Sequence, residues 1–462
     1  MGIALPVIST TAARQMRVSA EPLSAAHNPA GLHLFATEFG AHAFVANGSR
    51  VYDLPSALQQ ELDEALQAGG DALALLQQFG LDAPAYVDDT PLTSPPMRSV
   101  SLAVAQKCNL GCTYCYASGG DFGEQPKNME AHVARQTIDR LVAEAAPGER
   151  IFIAFMGGEP LINRALIQEA TAYAVKTAQA KGVNVGFGIT TNGTLLQPED
   201  AEFFVRYGFA VTISLDGVGS THDQLRPYKN GRGSYEDVLR RVQPLLALRE
   251  QLPVTARVTV TPRNLNLEET LVEFINLGFH SVGFSPMLAA PTGRDEMQRA
   301  DFSALLAAMI ACGRRFEHET IARRRFPFAN LTTSLRELHR GTHRPYPCGA
   351  GAGYFGVAAD GALAACHRFV GNDNGRMGDV FAGVDRTRQN AWLSTRHVHQ
   401  QEPCRTCWAR YLCGGGCHHE VLARGRTACD FVRGWLEYSL QAYVRLQHQA
   451  LWFFATNSEA AQ

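Results

Sequence analysis

Three cysteines, Cys108, Cys112 and Cys115, stand within eight residues of one another in the spacing C-x3-C-x2-C. Thiols this close can converge on one metal centre, and an iron–sulfur cubane is usually held by four thiolates. A loop that supplies only three thiolates leaves one iron without a protein ligand. Catalytic metal sites keep such an open coordination position, whereas structural metal sites do not. The spacing therefore predicts a cluster that binds a small molecule. A structural zinc knuckle, or three unrelated buried thiols, is the alternative.

Composition argues against several other classes of protein. The chain of 462 residues has a formal charge of −2, so it lacks the basic surface that nucleic-acid binding requires. No apolar run approaches the ~20 residues that span a bilayer, and the first residues do not form a signal peptide. We therefore expect a cytoplasmic protein without nucleic-acid or membrane partners, in which clustered cysteines are metal ligands or redox groups.

Strand and helix patterns alternate from residue 99 to about residue 318, which is typical of a parallel sheet with crossover helices. Six such units predict an α/β fold with a partial (β/α)6 barrel, which we assign to residues 96–325. Polar and glycine-rich segments follow the first four strands, where the active sites of such folds lie. The predicted strands are Ser99–Ala105, Ile151–Phe155, Val183–Thr190, Ala210–Leu215, Thr255–Val260 and Ser281–Pro286.

Residues 1–95 are predicted to form a small N-terminal module and its linker. The Asn47-Gly48 pair between alternating apolar residues predicts a hairpin. The leucine spacing over Ser56–Leu66 predicts a helix, and Ala72–Phe79 a second one. Residues 1–30 show little periodicity and are interpreted as a loose or docked arm.

Seven of the eleven cysteines follow residue 326, where glycines become frequent and long helical patterns rare. We predict a loop-rich, cluster-binding domain over residues 326–440 and a C-terminal helix and tail over residues 441–462. Cys312, in an apolar helical stretch, is predicted to be a core residue. The seven cysteines are Cys348, Cys366, Cys404, Cys407, Cys413, Cys417 and Cys429.

The three-thiol loop, with the aromatic Tyr114 before its last cysteine, resembles the cluster loop of the radical S-adenosylmethionine (SAM) enzymes. The resemblance implies that Cys108, Cys112 and Cys115 hold a [4Fe–4S] cluster whose open iron chelates the methionine part of SAM. It also implies reductive cleavage of SAM to a 5′-deoxyadenosyl radical, with an electron donor such as flavodoxin or ferredoxin. The later cysteines resemble a SPASM domain, which carries two auxiliary iron–sulfur clusters.

The resemblance also implies residues that bind SAM. In the family the motif Gly157-Gly158-Glu159-Pro160 holds the amino group of SAM, and a carboxylate accepts hydrogen bonds from an ammonium group. Ser214 and Arg226 match positions that contact the carboxylate and ribose. Turn, core and surface roles are the structural alternatives for these residues. Contacts on the adenosine side are expected from Asn192, Met287 and the backbone at Tyr114.

The usual interleaving in the family assigns Cys404, Cys407, Cys413 and Cys429 to one auxiliary cluster and Cys348, Cys366 and Cys417 to the other. Sulfatase-maturing relatives supply a further cysteine about six residues before the first of the latter three, where this chain has Thr342-His343. That cluster is therefore completed by His343 or another group, or has an open iron suited to a substrate thiolate. The same relatives carry an acidic base directly after the second SPASM cysteine, where this chain has His367.

The segments Pro345–Gly351 and Cys366–Phe369 look most like those of the maturases of quinohemoprotein amine dehydrogenase, which form Cys-to-Asp/Glu thioether links in a small enzyme subunit. The N-terminal module resembles the winged-helix-like module that binds a leader peptide by strand addition in related maturases, and a plain structural cap is its alternative. The resemblance thus implies a radical SAM oxidoreductase whose substrate is a leader-containing peptide or a small enzyme subunit. Cyclophane formation in a ribosomal peptide, formylglycine formation in a sulfatase and a non-catalytic metal-binding scaffold remain as alternatives.

Overall fold

The computed structural model describes residues 31–81 and 90–459. The predicted arm over residues 1–30 and most of the predicted linker, residues 82–89, lie outside the described residues. Within the described ranges, no helix combines the length and the apolar content needed to cross a membrane.

The N-terminal part is an antiparallel three-stranded sheet followed by two helices. The strands are β1 (Leu32–Thr37), β2 (Gly40–Val45) and β3 (Arg50–Leu54), and the helices are α1 (Ser56–Gln67) and α2 (Ala72–Gln78). The predicted hairpin at Asn47-Gly48 and both predicted helices are confirmed. The sequence did not reveal β1, because residues on both of its faces are buried and the alternation of a half-buried strand is lost.

This small sheet packs against the C-terminal part of the chain. The ring of His33 on β1 stacks on Trp408, with ring centroids 4.0 Å apart. The Ser49 hydroxyl donates a hydrogen bond to the carbonyl of Thr342 at 2.9 Å. The N-terminal module is therefore docked rather than tethered, although it retains a hydrophobic cluster of its own around Leu58, Leu62 and Leu76.

Six parallel strands, each followed by a helix, form one side of the main sheet, and their parallel arrangement is as predicted. They lie in the sheet in the order in which they occur along the chain, and each begins and ends within two residues of its predicted bounds. A two-residue strand, β5, pairs with β4 in antiparallel fashion. The strands are β4 (Ser99–Gln106), β5 (Lys127–Asn128), β6 (Arg150–Gly157), β7 (Asn184–Thr191), β8 (Phe209–Ser214), β9 (Val254–Val260) and β10 (Ser281–Pro286). The helices are α3 (Ala131–Ala143), α4 (Arg164–Lys181), α5 (Pro198–Arg206), α6 (Ser220–Leu225), α7 (Tyr235–Ala247), α8 (Leu267–Asn276) and α9 (Phe302–Ile321).

The two faces of these strands differ in composition. The outer face is apolar and fully buried, as Ile153, Phe155 and Ile213 illustrate. The inner face carries small or polar side chains that keep partial solvent access, among them Ala154, Thr190, Thr212, Ser214 and Ser285. The ring of Phe152 lies across Gly188, where a Cβ atom would come within 2.9 Å of it. The inner face is therefore partly accessible to solvent, and Phe152 packs over Gly188 on it.

The C-terminal part, for which a loop-rich domain is predicted, adds short strands to the main sheet. Strand β11 (Tyr354–Val357) pairs in parallel with β4, and β12 (Ala362–Ala364), β13 (Arg376–Asp379) and β14 (Gly383–Val384) follow in antiparallel order. These strands have at most four residues, too few for a periodic signal to emerge. The helices of this part are α10 (Ala329–Arg340), α11 (Arg386–Arg396), α12 (Arg410–Cys413), α13 (His418–Arg424), α14 (Cys429–Gln449) and α15 (Trp452–Glu459).

Candidate active site

The loop that contains Cys108, Cys112 and Cys115 lies directly after β4 and is anchored by the chain that follows α6. The Gly111 amide donates to the carbonyl of Pro227 at 2.8 Å, and the Thr113 amide donates to the carbonyl of Leu225 at 3.2 Å. Two backbone hydrogen bonds to a segment more than a hundred residues away fix the loop over the carboxyl ends of the strands.

The three thiols of this loop lie close enough to affect one another electrostatically. The pKa of the Cys112 thiol is raised to about 12, mainly by burial and further by the Cys115 and Cys108 thiolates, while Arg226 lowers it. The Leu110 amide donates to the Cys108 sulfur at 3.4 Å, a contact that favours the thiolate. Three partly buried thiols this close together can become thiolates when they share a cationic centre, so this donor set fits a metal cluster.

The glycines of the Gly157-Gly158 turn allow the end of β6 to touch this loop. A Cβ atom on Gly158 would lie 2.4 Å from the carbonyl oxygen of Lys107 and 2.8 Å from the Cα of Gly120. Gly157 has a φ of +148°, which side chains rarely adopt. The motif therefore brings backbone against the cysteine loop at a distance that no other residue type would permit.

The Glu159 carboxylate is fully buried and joins the turns after β6 and β7. It accepts hydrogen bonds from the Thr191 hydroxyl at 2.7 Å, the Asn192 amide at 2.8 Å and the Leu161 amide at 3.0 Å. A carboxylate has about four acceptor positions, so three of those of Glu159 are occupied and its contact with SAM stays a prediction. The structure thus gives Glu159 a positioning role that the sequence did not reveal.

Asn192 extends this connection to the cysteine loop. Its side-chain amide donates to the Asn109 side chain at 3.0 Å and approaches the Cys108 sulfur at 3.7 Å. The Asn109 amide in turn donates to the Thr194 hydroxyl at 2.8 Å. The predicted SAM-binding residues after β6 and β7 are therefore joined to the cluster loop by a continuous hydrogen-bond network.

A second buried network joins Tyr114, Asp216 and Arg226. The Tyr114 hydroxyl donates to the Asp216 carboxylate and accepts a hydrogen bond from the Arg226 guanidinium at 2.7 Å. Asp216 also accepts from the Thr259 amide at 2.7 Å, and Arg226 is 3.4 Å from it. Burial raises the pKa of Asp216, while Arg226 and the hydrogen bonds oppose the rise. The sequence identified Asp216-Gly217 as a turn after a strand but did not reveal the contacts of the Asp216 side chain, because aspartate before glycine is common in ordinary turns.

Arg226 has an additional donor available for a ligand. Its side chain is mostly buried, which contradicts the surface-arginine alternative, and its Nε has no partner among the described residues. The Nε of Arg344, Arg368 and Arg410 lack partners among the described residues as well, so at Arg226 this donor is open to a ligand but does not by itself indicate one. Met287 packs with Tyr114 and Leu225 in a small apolar cluster beside it, whereas Ser214 lies on the partly exposed inner face of β8.

Cys348, Cys366 and Cys417 form a second interacting group of thiols. Burial raises the pKa of Cys366 to about 12, and the Cys417 and Cys348 thiolates add to the rise. His343, considered as a fourth ligand, donates from Nδ1 to the carbonyl of Gly341 at 2.8 Å. This group therefore contains three thiols among the described residues. Their role as ligands of an auxiliary cluster stays a prediction.

Cys404, Cys407, Cys413 and Cys429 form the third group. Burial raises the pKa of Cys404 to about 11, with contributions from the other three thiolates, while Arg426 lowers it. All four line a cavity of about 240 Å³, roughly twenty times the volume that one water molecule needs. No three His, Cys, Asp or Glu of the described residues are placed to hold a single metal ion. The space and the thiols fit a polynuclear cluster.

Two aromatic residues connect the first two groups of thiols. The Tyr116 ring, next to Cys115 in sequence, meets the His367 ring edge to face at 5.7 Å, and His367 follows Cys366. The Arg368 guanidinium lies over Tyr116 at 5.5 Å, pairs with Glu420 at 2.6 Å and is 4.0 Å from the Cys417 sulfur. The group of Cys348, Cys366 and Cys417, called the three-thiol group below, therefore faces the loop that carries Cys108, Cys112 and Cys115.

Comparison with known proteins agrees with this geometry. Residues 102–277 match the model of the Radical SAM superfamily. A serine-type anaerobic sulfatase-maturating enzyme of Klebsiella pneumoniae is 26% identical over 355 residues, which cover 73% of this chain and 87% of that protein. A cysteine-type anaerobic sulfatase-maturating enzyme of Clostridium novyi is 30% identical over 155 residues, which cover 32% of this chain and 41% of that protein.

Two solved structures share the fold. Native anSMEcpe with bound AdoMet superposes with a TM-score of 0.64 at 18% identity and covers 76% of this chain and all of its own length (100%). SuiB of Streptococcus suis bound to the precursor peptide SuiA superposes with a TM-score of 0.52 at 12% identity and covers 86% of this chain and 96% of its own.

Proposed function

We propose that this radical SAM enzyme modifies a polypeptide after translation by forming Cys-to-carbon thioether crosslinks, as the maturases of quinohemoprotein amine dehydrogenase do. The observation that carries the proposal is the three-thiol group of Cys348, Cys366 and Cys417, which faces the cysteine loop and is one thiol short of four. A substrate cysteine would complete that set. Sulfatase-maturating relatives and the structure of SuiB with a precursor peptide support a polypeptide substrate.

The residues that would hold the cofactors follow from the site. With a [4Fe–4S] cluster on Cys108, Cys112 and Cys115 and SAM bound, the enzyme acquires a hydrogen-abstracting 5′-deoxyadenosyl radical, and auxiliary clusters on the two other thiol groups accept electrons. A further acceptor position of Glu159 is proposed for the amino group of SAM. The unpartnered Nε of Arg226 is available to its carboxylate or ribose.

The chain covers the open side of its own barrel, where a radical must be kept from water. Arg368 donates to the carbonyl of Ala289 at 3.3 Å, and Arg424 donates to the carbonyl of Leu288 at 2.8 Å. Arg424 also pairs with Glu296 at 3.1 Å. These contacts join the C-terminal part to the segment after β10, and the substrate side chain is proposed to lie between the two parts.

The thioether proposal predicts a specific change of mass and of thiol count. Incubated with enzyme, SAM and reductant, a cysteine-containing candidate polypeptide is expected to lose two hydrogens and one alkylatable thiol for each crosslink. Iodoacetamide treatment and fragment masses measure both changes. The same mass loss with every thiol still alkylated would identify a cyclophane instead, and loss of sulfur from the cysteine would identify formylglycine formation.

The edge of the N-terminal sheet is proposed to bind a leader segment of the substrate. Among the strands of the described residues, β3 lies at the edge of that sheet, and an extended peptide can add to such an edge through backbone hydrogen bonds. Successive residues of an antiparallel edge strand direct their N–H groups alternately towards the partner strand and away from it. Proline at Val51 or at Tyr52 therefore removes either an internal or an outward donor.

The melting temperatures of Val51→Pro and Tyr52→Pro distinguish the two cases. The variant that keeps the wild-type melting temperature has lost the N–H that points away from the sheet. We expect it to bind the polypeptide at least roughly tenfold more weakly, because a strand hydrogen bond and the steric fit of the added strand are both lost. SAM cleavage without polypeptide should not change. Wild-type affinity in that variant would reduce the module to a structural cap.

A further inference from the structure

The segment that follows β10, residues 287–298 and called the strap below, folds back on itself beside the cysteine loop. The Met297 amide donates to the carbonyl of Met287 at 2.8 Å, which joins the two ends of the strap. Both methionines are buried. Met287 packs with Tyr114 of the cysteine loop and with Leu225. The base of the strap therefore lies against the part of the site where SAM is predicted to bind.

The tip of the strap has only a weak hold on the cysteine loop. The chain turns there through Gly293 and Asp295, whose φ angles of +66° and +55° lie in the left-handed region. The exposed Thr292 hydroxyl donates to the carbonyl of Thr113 at 3.4 Å. This distance is longer than that of ordinary O–H···O hydrogen bonds. The position of the strap therefore depends on contacts made from its other side.

Arg424 supplies these contacts from the C-terminal part. It is the last residue of α13, and it donates to the carbonyls of Leu288 at 2.8 Å and Met297 at 3.1 Å. Its second terminal nitrogen donates to the side chain of Gln298 at 3.0 Å. One guanidinium thus holds the strap near both of its ends, which its planar set of five N–H donors permits.

An ion pair extends this clamp into the interior of the strap. The Glu296 carboxylate pairs with Arg424 at 3.1 Å, and its other oxygen accepts a hydrogen bond from the Ala290 amide at 2.7 Å. The two charged side chains are 12% and 23% exposed, so their attraction is screened less than that of a surface pair. The fold of the strap and its attachment to α13 therefore depend on the same charged pair.

We infer that Arg424 is a positioning residue for SAM, which fixes the strap in the place where Met287 meets the adenosine side of the cosubstrate. The inference rests on the SAM contact predicted for Met287 and is independent of the thioether chemistry. A strap that is already fixed binds its ligand without a further cost of ordering. The C-terminal part thus contributes to the SAM site through Arg424, although Arg424 itself is not expected to touch SAM.

Binding of SAM without turnover tests the inference. SAM is titrated calorimetrically into the cluster-reconstituted enzyme in the absence of reductant and polypeptide. We expect Arg424→Gln to bind SAM roughly 5- to 150-fold more weakly, the usual range for energetic coupling between two sites. Arg424→Lys keeps the charge but not the planar fork and should lose less affinity. Arg445→Gln is the matched control, because Arg445 forms a comparably buried ion pair with Glu317, at 2.6 Å, between α14 and α9. It should lose stability and keep its affinity for SAM.

Hydrogen exchange on the same samples shows whether the strap has moved. The Ala290 and Met297 amides should exchange faster in Arg424→Gln than in the wild-type enzyme, because their hydrogen bonds lie within the clamped segment. The Gly111 amide of the cysteine loop, bonded to the carbonyl of Pro227, should keep its protection.

Three results would overturn the inference. They are wild-type affinity for SAM in Arg424→Gln, an equal loss of affinity in Arg445→Gln, and unchanged exchange of the strap. Failure of the thioether proposal appears separately, in the product masses, because these titrations contain no polypeptide.

Discussion

Replacing Cys108, Cys112 and Cys115 together by alanine is expected to abolish reductive cleavage of SAM. These thiols lie beside the hydrogen-bond networks of Glu159 and Arg226, residues that are predicted to bind SAM, so we expect the iron that meets SAM to be held there. The variant should form no 5′-deoxyadenosine above the uncatalysed background. It should also lose about four iron atoms per chain, the content of one cubane.

The other two groups of thiols provide an internal standard for this experiment. Because Cys404 and Cys366 belong to groups on a separate part of the chain, the triple variant should retain their iron and its absorbance. Cys312→Ala is the matched control, since Cys312 is fully buried in α9 and outside all three groups. It should keep full iron content and activity. Wild-type formation of 5′-deoxyadenosine by the reconstituted triple variant would contradict the assignment.

The sequence was most informative where chemistry or periodicity repeats over short distances. The six parallel strands are confirmed to within two residues, because each is a run of apolar residues long enough to carry a signal. The cysteines influence one another electrostatically within the three groups that the family resemblance implies, and their assignment to clusters stays a prediction. Cys312 is confirmed as a core residue.

The features that the sequence did not reveal depend on contacts between distant residues. Strand β11 joins β4 although some 250 residues separate them, and only the tertiary structure shows that it extends the main sheet. The positioning role of Glu159 arises from its hydrogen bonds to Thr191 and Asn192, more than 30 residues away.

Replacing Arg226 by glutamine is expected to destabilise the folded protein by about 3–5 kcal/mol, the range for removing one partner of a buried ion pair. The loss arises because Asp216, which is 0% exposed, would keep a buried negative charge without its cation. Thermal and urea unfolding of the reconstituted protein would measure it. SAM should also bind more weakly, since the available Nε of Arg226 is lost together with the charge.

The pH dependence of this loss follows from the direction of the pKa shift. Burial raises the folded-state pKa of Asp216 and Arg226 opposes the rise, so Arg226→Gln should raise that pKa further. A carboxyl group with a raised folded pKa stabilises the fold below its unfolded pKa, and that contribution is lost as pH rises through the folded pKa. The destabilisation should therefore be larger at pH 8 than at pH 5. An equal loss at both values would show that the carboxylate charge is not its cause.

A second substitution separates the structural role of Arg226 from its role towards SAM. In the double variant Arg226→Gln with Asp216→Asn the buried charge is gone, so most of the lost stability should return and its pH dependence should disappear. SAM binding should stay weak, because no neutral amide replaces the guanidinium that forks onto a carboxylate. A double variant that is no more stable than Arg226→Gln alone would show that lost packing, not an uncompensated charge, explains the effect. One that regains stability together with SAM affinity would show that Arg226 acts on SAM only through the fold.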